Sequence, residues 1–298
     1  MVFEIRPAGP EDAAGIARVW AAALPQLVKT ARAIETELRS GIGPVVLIAL
    51  DGPEVVGSSN IYLPEPGSQV RRARIAIQVP PQQRRRGIGS QLTAAITERA
   101  VRAGASQLLG VVHDDDESKG FAAKRGFVLA RRMSHSAAEL STVPEPLEPP
   151  AGLRTADFEH LEPEQVFEAV VAVRDDDPSG LSGGPAYDEW LAVAWNNADL
   201  RRDLSFAVLD GDRVLSLVST TADPARKVIW SNLTGTIPSA RGRGLAKVVK
   251  SRALAAARDA GFMTASTGND AANAPMLAVN RWLGYRETSA AWTAEKDL

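Results

Sequence analysis

The chain of 298 residues contains no cysteine, which excludes disulfides, thiolate nucleophiles and cysteine-ligated metals together. Histidine is scarce: His113, His135 and His160 are scattered, so spacing points to neither a zinc site nor a histidine base. Charge of one sign is lacking too. Lys+Arg 34 against Asp+Glu 36 leave a net charge of −2, and no global basic field draws the chain to nucleic acid or an anionic membrane. Apolar runs such as Val45 to Leu50 fall far short of the roughly 20 residues of a membrane span. The start, Met1-Val2-Phe3-Glu4-Ile5-Arg6, has no secretory h-region. No metal, nucleic-acid partner or membrane partner is expected, and the expected location is cytoplasmic.

What is present is a globular composition, 45% hydrophobic and 23% charged, and a repeat. Val79-Pro80-Pro81-Gln82-Gln83-Arg84-Arg85-Arg86-Gly87-Ile88-Gly89 has a counterpart in Ile237-Pro238-Ser239-Ala240-Arg241-Gly242-Arg243-Gly244-Leu245-Ala246. Gly87 and Gly244 lie 157 residues apart, as do Gly104 and Gly261, each preceded by Ala. Arg125-Gly126-Phe127 stands 158 residues before Leu283-Gly284-Tyr285, and Leu50-Asp51-Gly52 stands 159 before Leu209-Asp210-Gly211. Four landmarks in register mean two copies of one domain. Between them, Thr142 to Ala151 carries four prolines and reads as an extended, stiff connector, giving domains 1–146 and 147–298.

Each copy shows the same order of elements. A short strand (Ile5-Arg6-Pro7; Leu153-Arg154-Thr155) precedes helical segments from about Glu11 and Glu164. Asp51-Gly52 and Asp210-Gly211 follow the apolar runs Val45–Leu50 and Phe206–Leu209 as hairpin signals. A further strand enters an arginine- and glycine-rich turn. The helix after it carries Ile88, Leu92, Ile96 or Leu245, Val248, Val249, Ala253 at helical spacing, with Gly104 and Gly261 placed as left-handed caps. The expected fold class is α/β, in the α+β sense: tandem domains, each a mostly antiparallel mixed sheet flanked by helices.

A strand breaking into a glycine-punctuated turn that opens a helix is suited to an anion, because unsatisfied amides and the helix dipole converge there. Arginines at its rim suit a pyrophosphate. The P-loop Gly-Lys-Ser/Thr is missing, and Leu92 and Lys247 stand where a dinucleotide fingerprint needs its third glycine.

Arg84-Arg85-Arg86-Gly87-Ile88-Gly89 and Arg241-Gly242-Arg243-Gly244-Leu245-Ala246 both satisfy Gln/Arg-x-x-Gly-x-Gly/Ala. In this, and in the later Arg-Gly-Phe and Leu-Gly-Tyr, the chain resembles the GNAT superfamily of acyl-CoA-dependent N-acyltransferases over most of each half. The resemblance implies acetyl-CoA as acyl donor, its pyrophosphate on the turns and its pantetheine along the preceding strand. The implied cofactor residues are Val79, Arg84, Arg85, Arg86, Gly87, Ile88, Gly89 and Ser90, then Ile237, Arg241, Gly242, Arg243, Gly244, Leu245, Ala246 and Asn273.

The copies are not equivalent. Where many family members carry a tyrosine that protonates the departing thiolate, the first copy has Ala122 and the second Asn280. Asn273 lies two helical turns before Asn280, either on a polar wall with it or as the helix N-cap ahead of Pro275. The catalytic candidates are Asn280, Asn273 and the backbone N–H near Ile237, which would polarise an acyl carbonyl. Asp188, Glu189 and Trp190 are acceptor candidates, and Asp175-Asp176-Asp177 offers further acid; the plainer reading of both acidic stretches is solvated surface. The expected activity is transfer of an acetyl group to a primary amine of a small molecule or peptide, with the second copy catalytic. The alternative is a non-catalytic acyl-CoA sensor or scaffold. The expected state is a monomer, as an internal pseudo-dimer, or a homodimer.

Overall fold

The structure, a computed structural model, describes residues 2–64, 71–174 and 186–298. In chain order the first half forms β1 (Glu4–Pro7), α1 (Ala13–Ala23), α2 (Ala31–Ser40), β2 (Val45–Asp51), β3 (Glu54–Tyr62), β4 (Arg72–Gln78), α3 (Ile88–Arg102), β5 (Gln107–His113), α4 (Asp116–Ala123) and β6 (Val128–Glu139). The second half repeats the order as β7 (Arg154–Asp157), α5 (Pro163–Arg174), α6 (Tyr187–Trp190), β8 (Phe206–Asp210), β9 (Arg213–Asp223), β10 (Val228–Thr236), α7 (Leu245–Asp259), β11 (Thr264–Asp270), α8 (Ala274–Trp282) and β12 (Arg286–Asp297). The mixed α/β class and the tandem arrangement read from the sequence are both present.

By contacts the chain divides into a first unit, Met1–Met133 with Ala290–Leu298, and a second, Ser134–Ser289. The sequence repeat follows chain order and the contact units do not, because β6 starts in the first unit and ends in the second, and β12 does the reverse. In the first unit the sheet order is β1-β2-β3-β4-β5-β12, with β12 antiparallel to β5 from Ala291 opposite His113 to Asp297 opposite Gln107. In the second it is β6-β11-β10-β9-β8-β7. The registers β1–β2, β2–β3, β3–β4, β5–β12, β7–β8, β8–β9 and β9–β10 are antiparallel, and β4–β5 and β10–β11 are parallel.

The unbroken apolar run of β2 is explained by burial on both faces. Val46, Ile48 and Leu50 pack with Ile16, Val19 and Ile34 of α1 and α2, while Leu47 and Ala49 pack with Ile88, Leu92 and Ile96 of α3. Both hairpins close with glycine at the first central position, φ +59° at Gly52 and +55° at Gly211. Helices α3 and α7 end alike. Gly104 and Gly261 take φ +78° and +85°, and the amides of Ala105 and Phe262 reach back to the carbonyls of Ala100 and Ala257 at 2.9 and 3.0 Å.

The proline-rich connector, in the second unit, runs along α7. Leu147 donates its N–H to Ser251 Oγ at 3.0 Å, and Arg252 meets Glu148 at 2.8 Å. Among the described residues no helix is long and apolar enough to cross a membrane.

Candidate functional site

The two arginine-glycine turns share one backbone course. Each follows a 3₁₀ turn, Pro81–Gln83 or Pro238–Ala240, entered from Pro80 or Ile237 at nearly equal angles, φ −54° ψ 145° and φ −55° ψ 147°. Ile237 is therefore the counterpart of Pro80, one place later than Val79. Two left-handed residues follow: Arg85 and Gly87 at φ +62° and +90°, Gly242 and Gly244 at +76° and +77°. Gly87 and Gly244 are the N-caps of α3 and α7, and neither helix start has a side-chain cap. The amides after them, from Ile88, Gly89 and Ser90 or from Leu245 and Ala246, open the helix and lend it partial positive charge.

The charges around the two turns differ. In the first unit Arg84 and Arg85 each lie 3.6 Å from a carboxylate oxygen of Glu117 on α4, and Arg86 meets Asp51 at 2.6 Å and also bonds Gln83. Phe121 of α4 stands against Gly89, and Arg125 lies 3.5 Å over the Phe121 ring while bonding Ser90. Burial, with Arg84 nearby, lowers the His113 pKa at the end of β5. In the second unit Ala274 and Pro275 occupy the sequence positions matching Glu117. There Arg241 bonds the Thr236 carbonyl at 3.1 Å.

Beside each turn the parallel strands part. The β4–β5 register ends at Arg74 opposite Leu109 although β4 runs to Gln78 and β5 to His113. The β10–β11 register ends at Ser231 opposite Thr267 although the strands continue to Thr236 and Asp270. Such a split leaves strand edges on which an extended amide chain can pair. In the second unit alone β10 also bulges: its register against β9 shifts between Ser231 and Thr234, and the Leu233 amide donates to Ser219 Oγ at 3.2 Å. The β3–β4 register, from Ser58 opposite Gln78 to Tyr62 opposite Arg74, is continuous.

The bulge opens on a cavity of about 190 Å³ in the second unit. Asn232 and Leu233 of the bulge form one wall; Phe158, Trp190 and Trp195 form another. Phe158 stacks on Trp195 and Trp195 meets Trp190, both at 5.7 Å between centroids. A π-helical turn, Leu191–Trp195, presents Val193, Ala194 and Trp195 together, an arrangement often met at functional sites. Arg174, at the end of α5, also lines the cavity.

The residues singled out in the sequence are thus spread over several places. Trp190 is 4% exposed and lines the cavity, whereas Asp188 is exposed, Glu189 is half-buried, and neither is among its walls. One helical turn, Tyr187–Trp190, can point only part of its residues inward. Asp175, Asp176 and Asp177 lie outside the described residues. The N–H of Ile237 itself is spent on the Leu215 carbonyl at 2.9 Å. Asn273 caps α8, its Oδ1 accepting from the Met276 amide at 3.1 Å. Asn280 is 2% exposed, and its Nδ2 donates to Asn269 Oδ1 at 2.7 Å. Periodicity put Asn273 and Asn280 on one face, but Asn273 sits at the half-exposed helix start. The bulge at Asn232 and Leu233, the wall residue Arg174 and the buried Lys250 went unnoticed in the sequence; only the polar break Ser231-Asn232 inside an apolar strand hinted at the first.

Residues 17–127 match the family model of the Acetyltransferase (GNAT) family. The fold of the whole chain is similar to that of a GCN5-related N-acetyltransferase from Sphaerobacter thermophilus, at 18% identity and TM-score 0.71, covering 99% of this chain and 95% of that one. It is also similar to a tandem GNAT protein from the clavulanic acid biosynthesis pathway, at 18% identity and TM-score 0.73, covering 99% and 98%. No curated protein matches the sequence. The fold and its two turns define a tandem GNAT architecture. Residues 17–127 thus carry a GNAT domain by sequence, and the chain as a whole shares the fold of tandem GNAT proteins.

Proposed function

We propose that the chain is an acetyl-CoA-dependent N-acetyltransferase whose second unit carries the reaction, with a primary amine as acceptor. One observation carries this reading: Asn232 and Leu233 belong at once to the strand expected to hold the pantetheine and to the wall of an aromatic cavity. An acyl group brought along β10 would meet an acceptor held in that cavity.

The turn from Arg241 to Ala246 fits a pyrophosphate by its arginines, left-handed glycines and helix start. An ammonium with pKa ~10.4 must first lose a proton, which costs about 4–5 kcal/mol at pH 7. No carboxylate lines the cavity among the described residues, so desolvation between aromatic rings is what disfavours the charged amine there. Attack by the neutral nitrogen then forms the C–N bond as the C–S bond breaks; sulfur leaves as the CoA thiolate and takes up, through solvent, the proton that the nitrogen loses.

The sensor reading is favoured by one observation. Ala122 offers no proton, and Asn280 is buried with its amide bonded to Asn269. Calorimetric titration of the full chain with acetyl-CoA, followed by thiol release over a panel of amines, separates the readings. Binding with amine-dependent release is expected. Binding without release on any amine favours the sensor, and absence of binding overturns both.

A further inference from the structure

In the first unit, the sheet face that matches the aromatic cavity of the second is polar. Ser58 of β3 stands opposite Ile48 and Gln78, and Asn60 stands opposite Val46. Val46 and Ile48 pack with α1 and α2, and residues opposite one another share a sheet face, so Ser58, Asn60 and Gln78 all lie on the side of α1 and α2. They are 0, 6 and 4% exposed, and among the described residues Ser58 Oγ, Asn60 Oδ1 and Gln78 Oε1 have no hydrogen-bond partner. The indole N–H of Trp20, on α1 against the same apolar cluster, is buried and unpartnered as well. The hairpin registers shift just before Gly57 and just before Ser216, so Ser58 matches Leu217 and Asn60 matches Ser219; Gln78, opposite Ser58, matches Gly235, opposite Leu217. In the second unit these places cost nothing: Leu217 is apolar, Ser219 Oγ accepts from the Leu233 amide, and Gly235 has no side chain.

A buried polar group without a partner carries its full desolvation penalty, and folded proteins keep few of them. Three on one face, at places where the other copy has none, call for a ligand that completes them. We infer that this face of the first unit binds a small neutral molecule bearing a primary carboxamide, its N–H groups donating to Asn60 Oδ1 and Gln78 Oε1 and its oxygen accepting from the Ser58 hydroxyl. The site is separate from the transfer reaction proposed for the second unit. Side chains directly opposite across a strand pair stand about 5 Å apart and diagonal ones about 7–8 Å, a span that one carboxamide group bridges. Ser58, Asn60 and Gln78 are uncharged, so an ammonium or a carboxylate would be desolvated there without an opposite charge, and a carboxylate has no proton to give to two carbonyl oxygens. Access is from the end of β3, where Tyr62 is exposed, and from beside Gln78, which lies on the length of β4 beyond its last β5 pair.

Propionamide, propylammonium and propionate, matched in size and differing in charge and donors, test the inference on the full chain by saturation-transfer NMR and calorimetric titration. Propionamide is expected to bind saturably, and each ion at least about tenfold more weakly, because an ion leaves an oxygen unpaired or buries a charge alone. Gln78→Met and Asn60→Leu put an apolar side chain of similar volume in place of each carboxamide. Both are expected to weaken propionamide about three- to tenfold, the worth of one hydrogen bond, and to unfold at a higher temperature than the parent when no ligand is present. Equal or tighter binding of either ion overturns the ligand class. Propionamide binding unchanged in both variants overturns the site. Failure of all three probes to bind, or lower unfolding temperatures in both variants, means that water already completes these groups and overturns the inference.

Discussion

The ammonium nitrogen of Lys250 lies 4.9 Å from the centroid of the Tyr285 ring, and both side chains are buried in the second unit, Lys250 at 1% exposure. The corresponding residues of the first copy are Thr93 and Phe127, so this buried amine is peculiar to the second. Burial pushes the Lys250 pKa down to about 7, and the phenol of Tyr285 up to about 12. A ring face offsets only part of the cost of burying a charge.

The pH dependence of stability follows with a definite sign. The unfolded chain holds the Lys250 proton up to about pH 10.5 and the folded chain only to about pH 7. Between these values the unfolded state binds more protons, so this residue makes stability rise with pH; below about 7 its full penalty applies. Lys250→Met is expected to stabilise the protein at pH 6 by about 3–5 kcal/mol, with the difference shrinking toward pH 10. Urea unfolding of both proteins at pH 6, 8 and 10 measures it. A difference independent of pH would mean that Lys250 is not buried as a titrating amine.

The first turn holds its own anion. Glu117, 3.6 Å from both Arg84 and Arg85, occupies the neighbourhood where a pyrophosphate would sit. Because Arg84 is half-buried and Arg85 and Glu117 are largely in solvent, removing the pairs changes stability by no more than ~1 kcal/mol. Glu117→Gln is expected to strengthen CoA binding to the first unit several-fold, seen in calorimetry as a second site appearing or tightening. Unchanged stoichiometry and affinity would show that Glu117 does not compete for the turn.

Gly235 of β10 is fixed by packing: a Cβ there would collide with the side chain of Val173 on α5. Since α5 also carries Arg174, Gly235→Ala is expected to displace that helix from the cavity, costing about 1–3 kcal/mol as overpacking does. KM for the amine should rise more than KM for acetyl-CoA. Unaltered stability and kinetics would show that α5 is free to shift.

Much of this was legible in the sequence for physical reasons. Left-handed positions at a helix start favour glycine, so Gly87 and Gly244 marked the turns, and Gly104 and Gly261 marked the helix ends. The exchange of β6 and β12 was not, because Arg286–Asp297 has the same pattern whichever β5-like strand it joins. Arg85 also broke the glycine rule, standing at φ +62° where its counterpart is Gly242. The bulge depends on the strand paired beside it rather than on local propensity. Lys250 reads as one more lysine in Lys247-Val248-Val249-Lys250; only the packing of α7 reveals that its face is covered.

Thiol release with Gly87→Val and Gly244→Val tests the division of labour proposed for the two units. Both glycines are left-handed N-caps with no neighbour within 3.5 Å of an added Cβ, so the two changes impose the same backbone strain, about 1–2 kcal/mol. The expected result is a loss of at least about a hundredfold in kcat/KM for Gly244→Val, the scale set by losing a positioned phosphate, with activity largely retained in Gly87→Val. Equal losses in both variants, or loss in Gly87→Val alone, would contradict the assignment of the reaction to the second unit.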